Sequence, residues 1–221
     1  MLRYPSPKQL EVVESRGKVV LKSCPGSGKT FVVAKKMVKE ISSWHEKNRG
    51  VALLSFTNVA NDEVNRQIEQ ISGVAQVSYP HFIGTIDSFL FKWLFLPFGH
   101  LVMGCKNTPS LLQNTSPVLE FAEMIWRREC WSSGCNSLDF FMDSDGSVKH
   151  LYRNIQCSIY KKPCETFKRH CLKLGLATHA DATRISLGIL ESYPRIGKAL
   201  SQRFPIIIID EAQDTSAWQM S

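Results

Sequence analysis

SCPGSGKT, Ser23–Thr30, is the stretch on which the fold turns. Residues 19–24 (VVLKSC) before it are β-rich. Residues 31–41 after it place Val33, Met37 and Ile41 on one helical face. The glycines therefore fall between a predicted strand and a predicted helix, the setting a phosphate loop needs. Gly26 and Gly28 let backbone N–H groups turn toward phosphate oxygens without a side chain in the way. Lys29 then reaches the β- and γ-phosphates, the Thr30 hydroxyl coordinates Mg²⁺, and the new helix points its positive end at the anion. Pro25, Gly26, Ser27, Gly28, Lys29 and Thr30 are the expected ATP-binding residues. Ser23 stands where such loops usually carry Gly or Ala, and Cys24 reads as a small filler.

A second string, IIIIDEAQDTS at Ile206–Ser216, completes the site. Four isoleucines in a row predict a strand buried on both faces. A carboxylate at its end, beside the phosphate loop, holds Mg²⁺, and a second one takes a proton from the attacking water. Asp210 is the metal candidate and Glu211 the general base. Gln213 is placed to sense the γ-phosphate or that water.

Between these strings the pattern alternates. Residues 51–56 and 77–84 predict strands, and residues 61–71 and 86–96 predict helices. Strand and helix in this rhythm predict a parallel sheet with crossover helices, an α/β fold of the P-loop type. Pro97 and Gly99 break the rhythm. Helical stretches follow at 117–131, 164–174, 181–190 and 195–204, with loops at 143–146 and 157–163 and no strand rhythm. The organisation expected is a first part of the ATP-binding domain at 1–96, a mostly helical inserted subdomain at 97–204, and the ATP-binding domain resuming at 205–221.

With 221 residues and 43% apolar content, the chain suffices for one domain carrying an insertion. No uninterrupted run reaches the roughly 18 apolar residues of a membrane span, and the N-terminus lacks the apolar core of a secretory signal. A cytoplasmic protein with no membrane partner is expected. Seven cysteines then read as free thiols. Cys130, Cys135, Cys157, Cys164 and Cys171, with His170 and His179 nearby, lack the tight C-x2-C spacing of zinc or iron–sulfur sites. The net charge is +7, and residues 97–203 carry 14 Lys/Arg against 9 Asp/Glu. A basic middle segment suits a phosphate backbone, although an ordinary basic surface has the same composition.

Five segments in order resemble the superfamily 1 helicases of the UvrD/Rep type. Tyr4-Pro-Ser-Pro-Lys-Gln9 is similar to the adenine-reading motif, which would make Gln9 the base contact. SCPGSGKT is similar to the first helicase motif. Ser55-Phe56-Thr57-Asn58, followed by Ala60 and Glu63, resembles the family's TFTNKAA-x-E segment, which contacts single-stranded DNA. There Phe56 would stack on a base, and Thr57 and Asn58 would bond the backbone. Gly84-Thr85-Ile86-Asp87-Ser88-Phe89 resembles a second DNA-contacting segment, GT-x-H-S/G-F. Asp87 replaces its histidine and would repel a phosphate, leaving Thr85 and Ser88 as contacts. DEAQDTS resembles the family's DExQD-T/S motif. The resemblance implies a RecA-like fold, ATP and Mg²⁺ as cofactors, and single-stranded DNA or duplex junctions as partners in repair or defence.

A narrower likeness, carried by Phe82-Ile83-Gly84-Thr85, Asp87 and Pro97-Phe98, is to the helicase-like subunit of Gabija anti-phage systems. It implies an OLD-family nuclease partner. In the family the arginines that complete the ATP cleft follow the DExQD motif. The expectation is thus a truncated motor: weak ATP binding, slow hydrolysis, no unwinding alone and an exposed apolar edge on the last strand. Two rival readings stay open: a non-catalytic nucleotide-, DNA- or partner-binding module, and a P-loop ATPase outside the helicases.

Overall fold

The computed structural model describes residues 4–21, 26–112, 140–143, 147–150 and 161–210. They form two compact units, one running to Phe89 and resuming at Lys198, the other covering Leu90–Gly197.

The first unit is built on a parallel three-stranded sheet in the order β2-β1-β7, with β1 at Val51–Ser55, β2 at Phe82–Thr85 and β7 at Ile206–Ile209. Helices α2 (Lys29–Ser42) and α3 (Asn58–Ser72) pack on one face. Their apolar stripes meet the sheet as the helical period requires. Ala34, Met37, Val64 and Ile68 are buried against Val51 and Leu53, with Ile83, Ile206 and Ile208 at the margin. Strand register explains the selection, because alternate side chains share a face. On the opposite face Phe82, Phe89 and Phe204 form a group of edge-on and tilted rings, with centroids 5.3–6.5 Å apart. A short helix, α1 (Pro7–Glu14), lies against α2.

Two expectations for this unit fail. Residues 19–21 form no strand, and Val20 is 73% exposed. Ile207 and Ile209 are 46% and 41% exposed, so β7 is buried on one face only. β7 is an edge of the described sheet, and residues 19–21 do not pair with it.

At the N-terminal end of the sheet the strand starts are tied together. The Arg203 guanidinium donates to the Pro80 carbonyl (2.7 Å) and stacks over the Tyr79 and Phe204 rings. The Val51 N–H donates to His81 Nδ1 (3.2 Å), which requires that nitrogen to be unprotonated. Burial, and then the Arg203 charge, hold the His81 pKa below its usual 6.5. The unfolded chain therefore takes up the proton first, and stability falls as pH drops through that value. Urea midpoints at pH 7.5 and 5.5 should show a larger acid-side loss for the native chain than for His81→Asn. Equal losses would dismiss the coupling.

The second unit packs α7 (His179–Ser192) against a wide π-turn (Phe91–Phe95) and α5 (Leu96–Met103). α5 follows directly on α4 (Ile86–Leu90) and the turn, so Pro97 does not break the helix as expected. It sits in the first turn of α5, where a missing N–H costs little, after a π-turn that has already loosened the ladder. By length and composition the stretch Ile86–Met103, of mean hydropathy 1.3, meets the criterion for a membrane span, although polar residues interrupt it and the core helix of a soluble protein meets the same criterion. It carries Asp87 and Lys92, and Leu94 and Phe95 are fully buried.

The remaining helices are α6 (Lys161–Leu174) and α8 (Pro194–Arg203). Residues 161–163, expected as loop, are helical; a proline in the first turn is tolerated. Strands are present where none was expected. β3 (Ser110–Leu111) pairs in parallel with β6 (Leu176–Ala177), and β4 (Phe140–Met142) pairs antiparallel with β5 (Val148–His150). They are too short to leave a period in the sequence. The expected helix at 117–131 lies outside the described residues. Burial pushes the Cys171 thiol up to about 12, which keeps it protonated and inert.

Candidate functional site

Parallel register brings three expected segments to one edge of the sheet. Ser55 pairs with Thr85, and Leu54 pairs with Ile209. Phe56, Ser88 and Asp210 thus follow the C-terminal ends of neighbouring strands, the side on which open α/β sheets bind ligands. The Asp210 N–H donates to the Leu54 carbonyl (2.8 Å), continuing the β1–β7 ladder by one bond. The residue is 3% exposed.

The phosphate loop reaches the same edge through α2. Eight residues join α2 to β1, and Trp44, just past the helix, packs edge-on against His81 at the strand starts. The far end of α2, which holds Lys29 and Thr30, therefore faces the strand ends. Gly28 caps the helix with φ +85°, and Gly26 has φ +75°. Both lie in the left-handed region that glycine enters without penalty. A Cβ on Gly26 would meet nothing within 4 Å, so the loop is open there. Lys29 and Thr30 are half-buried. Their backbone N–H groups are among the four that a helix start leaves without intrahelical partners. Open loop, positive helix end and lysine suit a nucleotide triphosphate. A hydroxyl and a carboxylate, Thr30 and Asp210, are the hard oxygen donors that suit Mg²⁺. Pro25, Glu211 and Gln213 lie outside the described residues.

Gln9 is tied to the loop. Its Nε2 donates to the Ser27 carbonyl (3.0 Å), and its Oε1 accepts from the Ser6 N–H (2.9 Å) as half of a capping box. The S-x-x-Q spacing of Ser6 and Gln9 already signals that box.

Phe56 is half-buried, whereas Thr57 and Asn58 are exposed. Thr57 caps α3, its Oγ1 accepting from the Ala60 N–H (3.1 Å). Thr85 Oγ1 likewise accepts from the Ser88 N–H (3.1 Å), while Ser88 Oγ donates to the Thr85 carbonyl (2.7 Å). Both threonines still have a hydroxyl proton to donate. Sequence reasoning did not find Lys36, which bonds the end of α1. A lysine in a helix carries no signal of a tertiary contact.

A helix opened by a glycine turn, beside a small parallel sheet with a carboxylate at one strand end, makes this a mixed α/β protein whose loop suits an anion. Residues 6–221 match the UvrD/REP helicase N-terminal domain, and the chain belongs to that family. It is 23% identical over 221 residues to DNA helicase II of Salmonella typhimurium strain LT2, and equally to DNA helicase II of Escherichia coli K12. In each case the alignment covers 95% of this chain and 30% of the relative, so the chain spans under a third of their length.

Proposed function

We propose that this chain is the ATP-binding part of a UvrD-like helicase that couples Mg-ATP hydrolysis to movement along, or unwinding of, DNA. The observation that carries the reading is the convergence of the Gly26–Thr30 loop, Asp210 and the Phe56 and Thr85 segments on one sheet edge. On this reading the ATP-binding domain is RecA-like and divided, at 1–96 and 205–221, around a subdomain at 97–204.

Lys29 holds the β/γ-phosphates, and Thr30 and Asp210 hold the Mg²⁺, which supplies charge neutralisation at the transferring phosphoryl group. Glu211 takes the proton of the attacking water, with Gln213 beside it. Gln9 reads the base. Phe56, Thr57, Asn58, Thr85 and Ser88 contact single-stranded DNA, coupling the strand ends that hold the nucleotide to the substrate. An OLD-family nuclease subunit is the protein partner that the Phe82–Asp87 pattern adds.

The test is ATP hydrolysis by the chain with and without single-stranded DNA, beside titrations of both ligands. Each ligand should tighten the other. Nucleotide binding without turnover would support the non-catalytic module, and turnover indifferent to DNA would support a P-loop ATPase of another kind. Within the same reading, Phe56→Ala should weaken binding of a labelled oligo-dT by roughly 5- to 150-fold, the equivalent of one lost base stack of about 1–3 kcal/mol. Unchanged anisotropy curves would place Phe56 in the core instead.

A further inference from the structure

We propose that Lys36 is a positioning residue for base selection: it fixes α1 so that Gln9 presents an edge matched to a 6-aminopurine. The inference rests on the reading of Gln9 as the base contact. α1 has eight residues and buries a single side chain, Val13. A helix that short is not stable by itself. Lys36, two turns into α2 from Lys29, secures its end. Its Nζ donates to the Val13 carbonyl (3.1 Å) and the Ser15 carbonyl (2.6 Å), and it pairs with Glu40 in its own helix (2.9 Å). Lys39 and Glu14 form a second, more exposed tie between the same helices.

The other end of α1 carries the selective group. A peptide N–H only donates and a peptide carbonyl only accepts. The Ser6 N–H on Oε1 and the Ser27 carbonyl on Nε2 therefore fix which end of the Gln9 amide is oxygen. A reversed amide would set donor against donor and acceptor against acceptor. The oxygen keeps a second lone pair, and the nitrogen a second hydrogen. Together they complement the donor–acceptor edge of adenine (N6–H and N7). They mismatch guanine, whose O6 and N7 both accept. The selection holds only while α1 stays in register with the loop, and Lys36 is the half-buried group that keeps it there.

The experiment titrates ribose-labelled fluorescent ATP and GTP, with Mg²⁺, against the native chain and the variants Gln9→Ala, Lys36→Met, Lys36→Gln and Lys36→Arg. The native chain should prefer ATP by about tenfold or more, the scale of one hydrogen bond left unmade. Lys36→Met should bring the ratio to within about threefold of unity by weakening ATP alone, with GTP affinity unchanged. Lys36→Arg should restore most of the preference, and Lys36→Gln, with fewer donors, should fall between. If Lys36→Met does not fold, Lys36→Gln decides, and a native ratio there overturns the inference. Equal weakening of ATP and GTP by Lys36→Met also overturns it, because that is what a purely structural role produces. A ratio lost in Gln9→Ala but kept in Lys36→Met removes Lys36 and leaves the Gln9 reading standing. A ratio kept in Gln9→Ala removes both.

Discussion

Asp181→Ala should destabilise the Leu90–Gly197 unit by about 3–5 kcal/mol, a large share of the 5–15 kcal/mol that ordinarily holds a domain folded. Asp181 and Lys168 are 4% and 1% exposed and form an ion pair of 2.6 Å. The same Asp181 Oδ2 accepts from the Thr178 hydroxyl (2.7 Å), and Oδ1 accepts from the Met142 N–H (3.0 Å). One carboxylate thereby joins α6, the start of α7 and β4. Removing it leaves the buried Lys168 ammonium with only a long contact to the Thr178 hydroxyl (3.4 Å) and leaves a half-buried N–H, and the penalty is that of the groups left behind rather than of the bond lost. The double variant Lys168→Met with Asp181→Leu removes both charges and should recover part of the loss, since an apolar pair of similar volume needs no solvation. Urea unfolding of the three chains reads this directly. A loss under about 1 kcal/mol for Asp181→Ala would mean that water reaches the pair.

This cluster also marks where sequence reading stops. Lys168 and Asp181 stand thirteen positions apart on separate helices, and charged residues at such spacing look like solvated surface. Only the packing of α6 on β6 and the Thr178 cap turn them inward. Local patterns were more legible. The 3.6-residue period located α2 and α3, and the apolar run 51–56 located β1, because each contrast is written within one element. The outermost strand was misread for the opposite reason. Four isoleucines record what a position tolerates, but whether Ile207 is covered depends on what packs over its face of the sheet. Pro97 was misread as a break because the π-turn at Phe91–Phe95 that admits it leaves no residue signature.

The candidate site divides along the same line. Gly26, Gly28, Lys29 and Thr30 are contiguous, so their motif specifies a local shape, and the positive φ values at both glycines agree with it. Sequence order could not say that Phe56, Thr85 and Asp210 share an edge; the parallel register of β2, β1 and β7 brings them there. The link between Gln9 and Ser27 spans eighteen positions and required α1 to be docked.

Lys29→Ala should lower affinity for Mg-ATP by about 10- to 150-fold, the scale of a charge-assisted hydrogen bond of 1.5–3 kcal/mol, without unfolding the protein. The two halves of that expectation come from one location. Lys29 begins α2, where the helix end is already positive and a cation is unfavourable by a few tenths to 1 kcal/mol. Alanine is also the better helix former. Stability to urea should therefore stay within about 1 kcal/mol of native while binding falls, which separates a functional lysine from a structural one. The base supplies a second separation. A lysine that meets phosphates must weaken ATP and GTP by the same factor, whereas Gln9→Ala acts on ATP alone. Calorimetric titration of both nucleotides into both variants yields a two-by-two pattern that no general loosening of the loop reproduces. If Lys29→Ala weakened ATP far more than GTP, the loop would be arranged around the base rather than the phosphates, and the assignment of Gly26–Thr30 would fall.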